Sequence, residues 1–181
     1  MEQLTRLFLG VPVEEEMRAM LDQHLQAHPL PGRPVPPENW HITVRFLGNV
    51  DQVTRERLLA ELDQSDLGPA FDVVLGDLGA FPRAGRATVM WLALDKGRER
   101  LMELNALAEQ SSQVVGLAPE DRPFAAHLTL SRIRPELDVR ANLASYRRVP
   151  FRWTAGELVL YESHPGRGGV RYESVESFRL D

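Results

Sequence analysis

WHITVRFLG (40–48) and AHLTLSRI (126–133) are the stretches on which the fold turns. Each alternates apolar with other residues and carries His-x-Thr followed by an apolar side chain. In a strand, alternate side chains share a face. His41 and Thr43 therefore point one way, with Arg45 on their side by parity, while Ile42, Val44 and Phe46 point toward a core. His127, Thr129 and Ser131 likewise oppose Leu128 and Leu130. With 5 histidines in 181 residues, chance gives roughly 0.17 His-x-Thr matches. One match would carry little weight; two, each on a strand, carry a good deal.

Outward from these strands the chain repeats itself. Before the first lie a buried strand at 5–12 and a helix over 13–28, with Met17, Met20, Leu21 and Leu25 at helical spacing. Five prolines in 28–39 make that segment an extended loop. After it come a helix at 51–64 and a strand at 71–81. The second half begins with a strand at 88–95 and a helix at 98–115. The His127 strand follows, then a short helix at 138–146 and one strand over 151–163. HPGRGG (164–169) is a turn leading to a last strand at 170–180. The order strand–helix–strand–helix–strand thus occurs twice, over 5–80 and 87–163, with His-x-Thr on the middle strand each time. Two similar lobes facing each other, with no linker between them, are expected.

Composition narrows the chemistry. There is no cysteine, which removes disulfides, thiolate nucleophiles and cysteine-ligated metals. The apolar run near the start is short and flanked by acids, unlike a signal peptide, and no stretch approaches the roughly 20 apolar residues of a membrane span. The net charge of −5 argues against broad coating of duplex nucleic acid, although a few local arginines suffice for a nucleotide or an RNA end. Lys96 is the only lysine; arginine suits bidentate contacts to phosphate. A monomeric cytoplasmic protein is the expectation.

A histidine pair suits acid–base work at phosphorus. Imidazole titrates near 6.5, so one ring can be neutral while its partner is charged. Opening a cyclic phosphate needs one group to activate water and another to protonate the leaving oxygen. Threonine hydroxyls can donate to the non-bridging oxygens as charge builds on them. No histidine–carboxylate spacing points to zinc or a two-metal site, so neither metal nor cofactor is expected.

At these residues the sequence resembles the two-histidine (2H) phosphoesterase superfamily, and within it the RNA 2′,3′-cyclic phosphodiesterases first described as 2′-5′ RNA ligases. RLFLGV, WHITVRFLG, Phe81-Pro82 before MWLAL, HLTLSR and the closing LYES…GVRYESVESFRL fall in that family's order. The resemblance implies a bilobal α+β fold of two antiparallel sheets lining a cleft, with helices outside. It implies that His41 protonates the departing O3′, that His127 activates the attacking water, and that Thr43 and Thr129 hold the phosphate, leaving a 2′-phosphate. The partners it implies are RNA ends, tRNA fragments among them, and microscopic reversibility adds 2′-5′ ligation. Arg132 matches a basic position that the family uses near the phosphate. Strict alternation puts Arg132 opposite His127, so the strand has to end or bulge near Ser131. Arg45 is the second substrate-binding candidate.

Other features carry less. HPGRGGVRY lacks the strand-to-helix context of a phosphate-binding glycine loop. His24, His28 and His164 have no paired threonine. Trp40 and Phe46 fall on the core side, and Phe8 is undetermined. Two other readings stay open: a cyclic phosphodiesterase acting on a small nucleotide such as an ADP-ribose cyclic phosphate, and a non-catalytic module that binds RNA ends or nucleotides.

Overall fold

The computed structural model describes residues 3–181. In chain order the elements are β1 (Thr5–Pro12), α1 (Glu15–Ala27), β2 (Arg33–Pro34), β3 (His41–Val50), α2 (Gln52–Asp63), β4 (Phe71–Phe81), β5 (Ala87–Lys96), α3 (Arg98–Val114), β6 (Leu128–Leu137), α4 (Arg140–Ser145), β7 (Arg152–Ala155), β8 (Glu157–His164) and β9 (Arg171–Arg179). The strands run β7-β4-β5-β6-β3-β1-β8-β9, all neighbours antiparallel, with β2 beside β6. This is the α+β architecture expected, with one difference: the two sheets are continuous. They join where β3 meets β6, through the pairing of Ile42 with Leu128.

One core lies on the helix side of both sheets. Leu7, Leu9 and Val11 of β1 reach it, as do Met90, Leu92 and Leu94 of β5, Ile42 of β3 and Leu128 of β6. Leu58 and Leu62 of α2, and Leu101, Leu104 and Ala108 of α3, close it from outside. β1 is buried on both faces, because Phe8 and Gly10 lie under the opposite, concave surface. Asp51 caps α2 by accepting from the Thr54 N–H at 2.8 Å. Gly97, at φ 98°, makes the turn from β5 into α3; a Cβ there would be strained and would meet the Asp72 carbonyl. No helix among the described residues is long and apolar enough to cross a membrane.

The stretch 151–163, expected as one strand, is two. It breaks at Gly156, and its parts go to opposite halves of the sheet: β7 pairs with β4, and β8 with β1. Each half of the sequence thereby gives its third strand to the other half. β4 leaves the first half to join β5, and β8 leaves the second to join β1. The proline-rich loop, expected without regular structure, contains the two-residue β2, which pairs Arg33 with Arg132 and Pro34 with Ser131.

Candidate active site

The pairing of Ile42 with Leu128, both fully buried, fixes the centre of the cleft. Extending that antiparallel register one residue each way sets His41 across from Thr129, and Thr43 across from His127. All four side chains lie on the face opposite Ile42 and Leu128. Each histidine thus faces the other lobe's threonine across a two-fold relation.

Both imidazoles are oriented by backbone. His41 Nδ1 lies 2.8 Å from the Asn39 carbonyl, and His127 Nδ1 lies 2.7 Å from that of Ala125. A carbonyl only accepts, so each Nδ1 carries the proton and each Nε2 of the neutral ring is the acceptor atom. Nε2 of His41 accepts from the Thr43 hydroxyl at 2.8 Å. Burial pushes the His41 pKa down to about 4, the charges of His127 and Arg132 adding to it and the Asn39 carbonyl opposing. His127 is also lowered, by burial and by Arg132, against the Ala125 carbonyl. His127 and Arg132 are close enough for their charges to act on His41.

Two bulges decide what else reaches the cleft. In β3, Gly10 pairs with Thr43 but Leu9 pairs with Arg45, leaving Val44 as the extra residue. In β6, Trp91 pairs with Thr129 but Met90 pairs with Ser131, leaving Leu130 extra. A bulge of one residue reverses the parity beyond it. Arg132 is therefore exposed on the His127 face, and Ser131 is buried, donating to the Pro31 carbonyl at 2.5 Å. Ser131 does not share a face with His127, contrary to the simple alternation.

The same reversal overturns Arg45 as a substrate-binding residue. Arg45 is 2 % exposed and lies behind the sheet. Its Nε donates to Glu109 of α3 at 2.6 Å, its Nη2 to the Ala118 carbonyl at 2.6 Å, and its Nη1 to the Phe46 carbonyl at 3.0 Å. Phe46, expected in the core, is instead 55 % exposed on the cleft side. Arg45 and Ser131 occupy equivalent places after the two bulges, as do Phe46 and Arg132.

Aromatic rings wall the cleft on both sides. Phe8 lies 4.6 Å from the His41 ring and stacks on Tyr161 at 5.0 Å; Tyr172 stands edge-on to His41 at 5.2 Å. Gly10 lets Tyr161 and His41 approach, since a Cβ there would sit 3.3 Å from the imidazole and 3.5 Å from the tyrosine. In the other lobe Phe81 is edge-on to His127 at 5.3 Å and packs against Trp91 at 4.8 Å. Trp91 covers Gly79, where a Cβ would collide with the indole. Trp40 is in the core, as its parity required.

Sequence reasoning missed Asn39, Tyr161 and Tyr172. Asn39 is 7 % exposed. Its carbonyl holds His41, while its side-chain amide donates to the Val170 carbonyl at 2.7 Å, tying His41 to the β8–β9 hairpin. The equivalent residue in the other lobe, Ala125, has no such arm. Among the described residues no group of three histidines, aspartates or glutamates is placed to hold a metal ion. His24 and His28 stack on each other away from the cleft, and His164 lies between Glu162 and Glu173 on the β8–β9 hairpin.

Comparison with known proteins agrees with this geometry. The RNA 2′,3′-cyclic phosphodiesterase of Escherichia coli K12 is 29 % identical over 99 % of this chain and 99 % of its own. That of Bacillus subtilis 168 is 30 % identical over 96 % and 95 %. The crystal structure of E. coli LigT complexed with 3′-AMP superposes with a TM-score of 0.81 at 26 % identity, covering 98 % of both chains. A family model described as LigT like Phosphoesterase matches twice, over residues 9–91 and 92–172. Its two successive matches each take in one His-x-Thr strand, and with them the chain belongs to the LigT-like phosphoesterases of the two-histidine superfamily.

Proposed function

We propose that this protein is an RNA 2′,3′-cyclic phosphodiesterase that works by histidine acid–base catalysis. The observation that carries the reading is the pair of imidazoles, each with Nδ1–H fixed by a carbonyl and Nε2 turned to a shared cleft, each across from the other lobe's threonine. His127 Nε2 takes a proton from water as its oxygen bonds to phosphorus. The P–O3′ bond breaks, and His41 gives its proton to O3′, leaving a 2′-phosphate. Thr43 and Thr129 donate to the non-bridging oxygens, and Arg132 offsets the added charge. The relatives' names and the 3′-AMP bound to E. coli LigT support a nucleotide phosphate as the ligand. These proton transfers need no metal. Both histidines come from one chain acting as one bilobal catalytic domain, so a monomer is sufficient, and we place it in the cytoplasm acting on RNA ends, tRNA fragments included. With an RNA 5′-hydroxyl in place of water, the same steps form P–O5′ as P–O3′ breaks and join a cyclic end through a 2′-5′ linkage.

Burial depresses His41 the more, which by itself makes it a poor acid at neutral pH. A bound cyclic phosphate brings a negative charge between the rings and raises both pKa values. The dependence of kcat/KM on pH, which reports the free protein, is therefore a bell centred below 6.5, while the kcat bell lies higher. Hydrolysis of a nucleoside 2′,3′-cyclic phosphate should persist in excess EDTA. His41→Ala and His127→Ala should each lower kcat by about 100-fold or more. Loss of turnover with EDTA, or survival in either variant, sinks the mechanism; a 3′-phosphate product exchanges the two roles.

A further inference from the structure

Arg33 is the neighbour that the reacting phosphate does not explain. It sits on β2, paired across the sheet with Arg132, and paired residues of adjacent strands project from the same face. Arg132 is on the cleft face, so Arg33 is too. The pairing sets two like charges side by side, an arrangement that costs stability unless an anion lies between them. Among the described residues neither guanidinium has an acidic partner. Arg33 spends one N–H on the Gly168 carbonyl of the β8–β9 hairpin, leaving four of its five donors. Arg132 is already committed electrically to the histidines, lowering the pKa of both. Arg33 stands one strand spacing away, about 4.8 Å between backbones.

We propose that Arg33 forms a second anion subsite, which takes the 5′-phosphate of the nucleotide whose 2′,3′-cyclic phosphate lies between His41 and His127. This rests on the phosphodiesterase reading and sharpens it. One nucleoside separates the two phosphates, and Arg33 and Arg132 stand paired on adjacent strands. In an RNA end that 5′-phosphate is the linkage to the preceding nucleotide; in a small nucleotide it is a terminal phosphate or a pyrophosphate. The shared chemistry is a phosphate ester on O5′, and the site therefore discriminates against nucleosides with a free 5′-hydroxyl.

The test compares three substrates: a nucleoside 2′,3′-cyclic phosphate with a 5′-hydroxyl, the same compound carrying a 5′-phosphate, and a dinucleotide ending in the cyclic phosphate. In the wild-type protein the 5′-phosphate should raise kcat/KM by about tenfold, the scale of one charge-assisted contact. Arg33→Gln keeps a donor for Gly168 but no charge. It should reduce that gain to less than about twofold while leaving turnover of the 5′-hydroxyl compound unchanged, and Arg33→Lys should retain most of the gain. A dinucleotide that exceeds the 5′-phosphorylated mononucleotide assigns the subsite to RNA, and equality assigns it to small nucleotides. Turnover with no gain from the 5′-phosphate overturns the subsite alone, as does an Arg33→Gln variant that loses the 5′-hydroxyl substrate equally. No turnover of any of the three by the wild-type protein overturns the phosphodiesterase reading and the subsite with it.

Discussion

His41 and His127 were legible in the sequence because their chemistry depends on residue type and spacing along one strand, and both survive any register. Asn39 was not legible: the contact that gives its side chain a role lies 131 residues away in the chain. Burial holds His41 neutral, against the Asn39 carbonyl that orients it, and this has a cost in acid. Its folded pKa is about 4, against 6.5 when unfolded, so between those values the unfolded chain binds the extra proton. The stabilisation is present above pH 6.5 and is lost as pH falls toward 4, by about 3 kcal/mol. Urea unfolding at pH 7 and pH 4 should show the wild-type protein losing about that much more than His41→Gln. Equal losses would mean that the imidazole is not held neutral. His127 shifts in the same direction in both proteins and cancels from the comparison.

At the level of single elements, most strands and helices follow from periodicity, and the errors share one cause. Alternation assumes a continuous pleat, but β3 and β6 each carry an extra residue immediately after His-x-Thr. Neither Val44 nor Leu130 announces a bulge, since both are ordinary strand formers. The consequence is that Arg45 exchanges places with Phe46, and Ser131 with Arg132. The β3 bulge is held from behind by α3: Asn105 donates to the Val44 carbonyl at 2.8 Å, and Glu109 holds Arg45. Glu109 remains partly exposed, so removing its partner does not strand a fully buried charge. Arg45→Met should therefore lower stability by about 2–3 kcal/mol, while kcat of the folded variant changes by less than about threefold. A stable Arg45→Met protein with a 100-fold loss of turnover would return Arg45 to the cleft.

For the whole molecule, the internal repeat was readable but its exchange of strands was not. Nothing local in FRWTAGELVLYES marks Gly156 as the point where the chain passes from one half of the sheet to the other, because both sides are equally good strands. Pairing partners are a long-range property, and the exchange makes each half depend on the other. Without the second half, β4 lacks both of its partners, β5 and β7, while β1 lacks β8. α3, which braces β3, also comes from the second half. Each half alone is left with open sheet edges and an uncovered apolar face, too little for independent stability. Cutting the chain within the turn at 82–86 should thus give two fragments that show no cooperative thermal transition separately. Co-folded, they should recover a single transition and cyclic-phosphate hydrolysis, because the cut lies outside every strand and α-helix, while His41 and His127 enter the cleft from different pieces. A cooperative melt from either fragment alone would mean that the lobes are autonomous and that the crossing of β4 and β8 is not what binds them together.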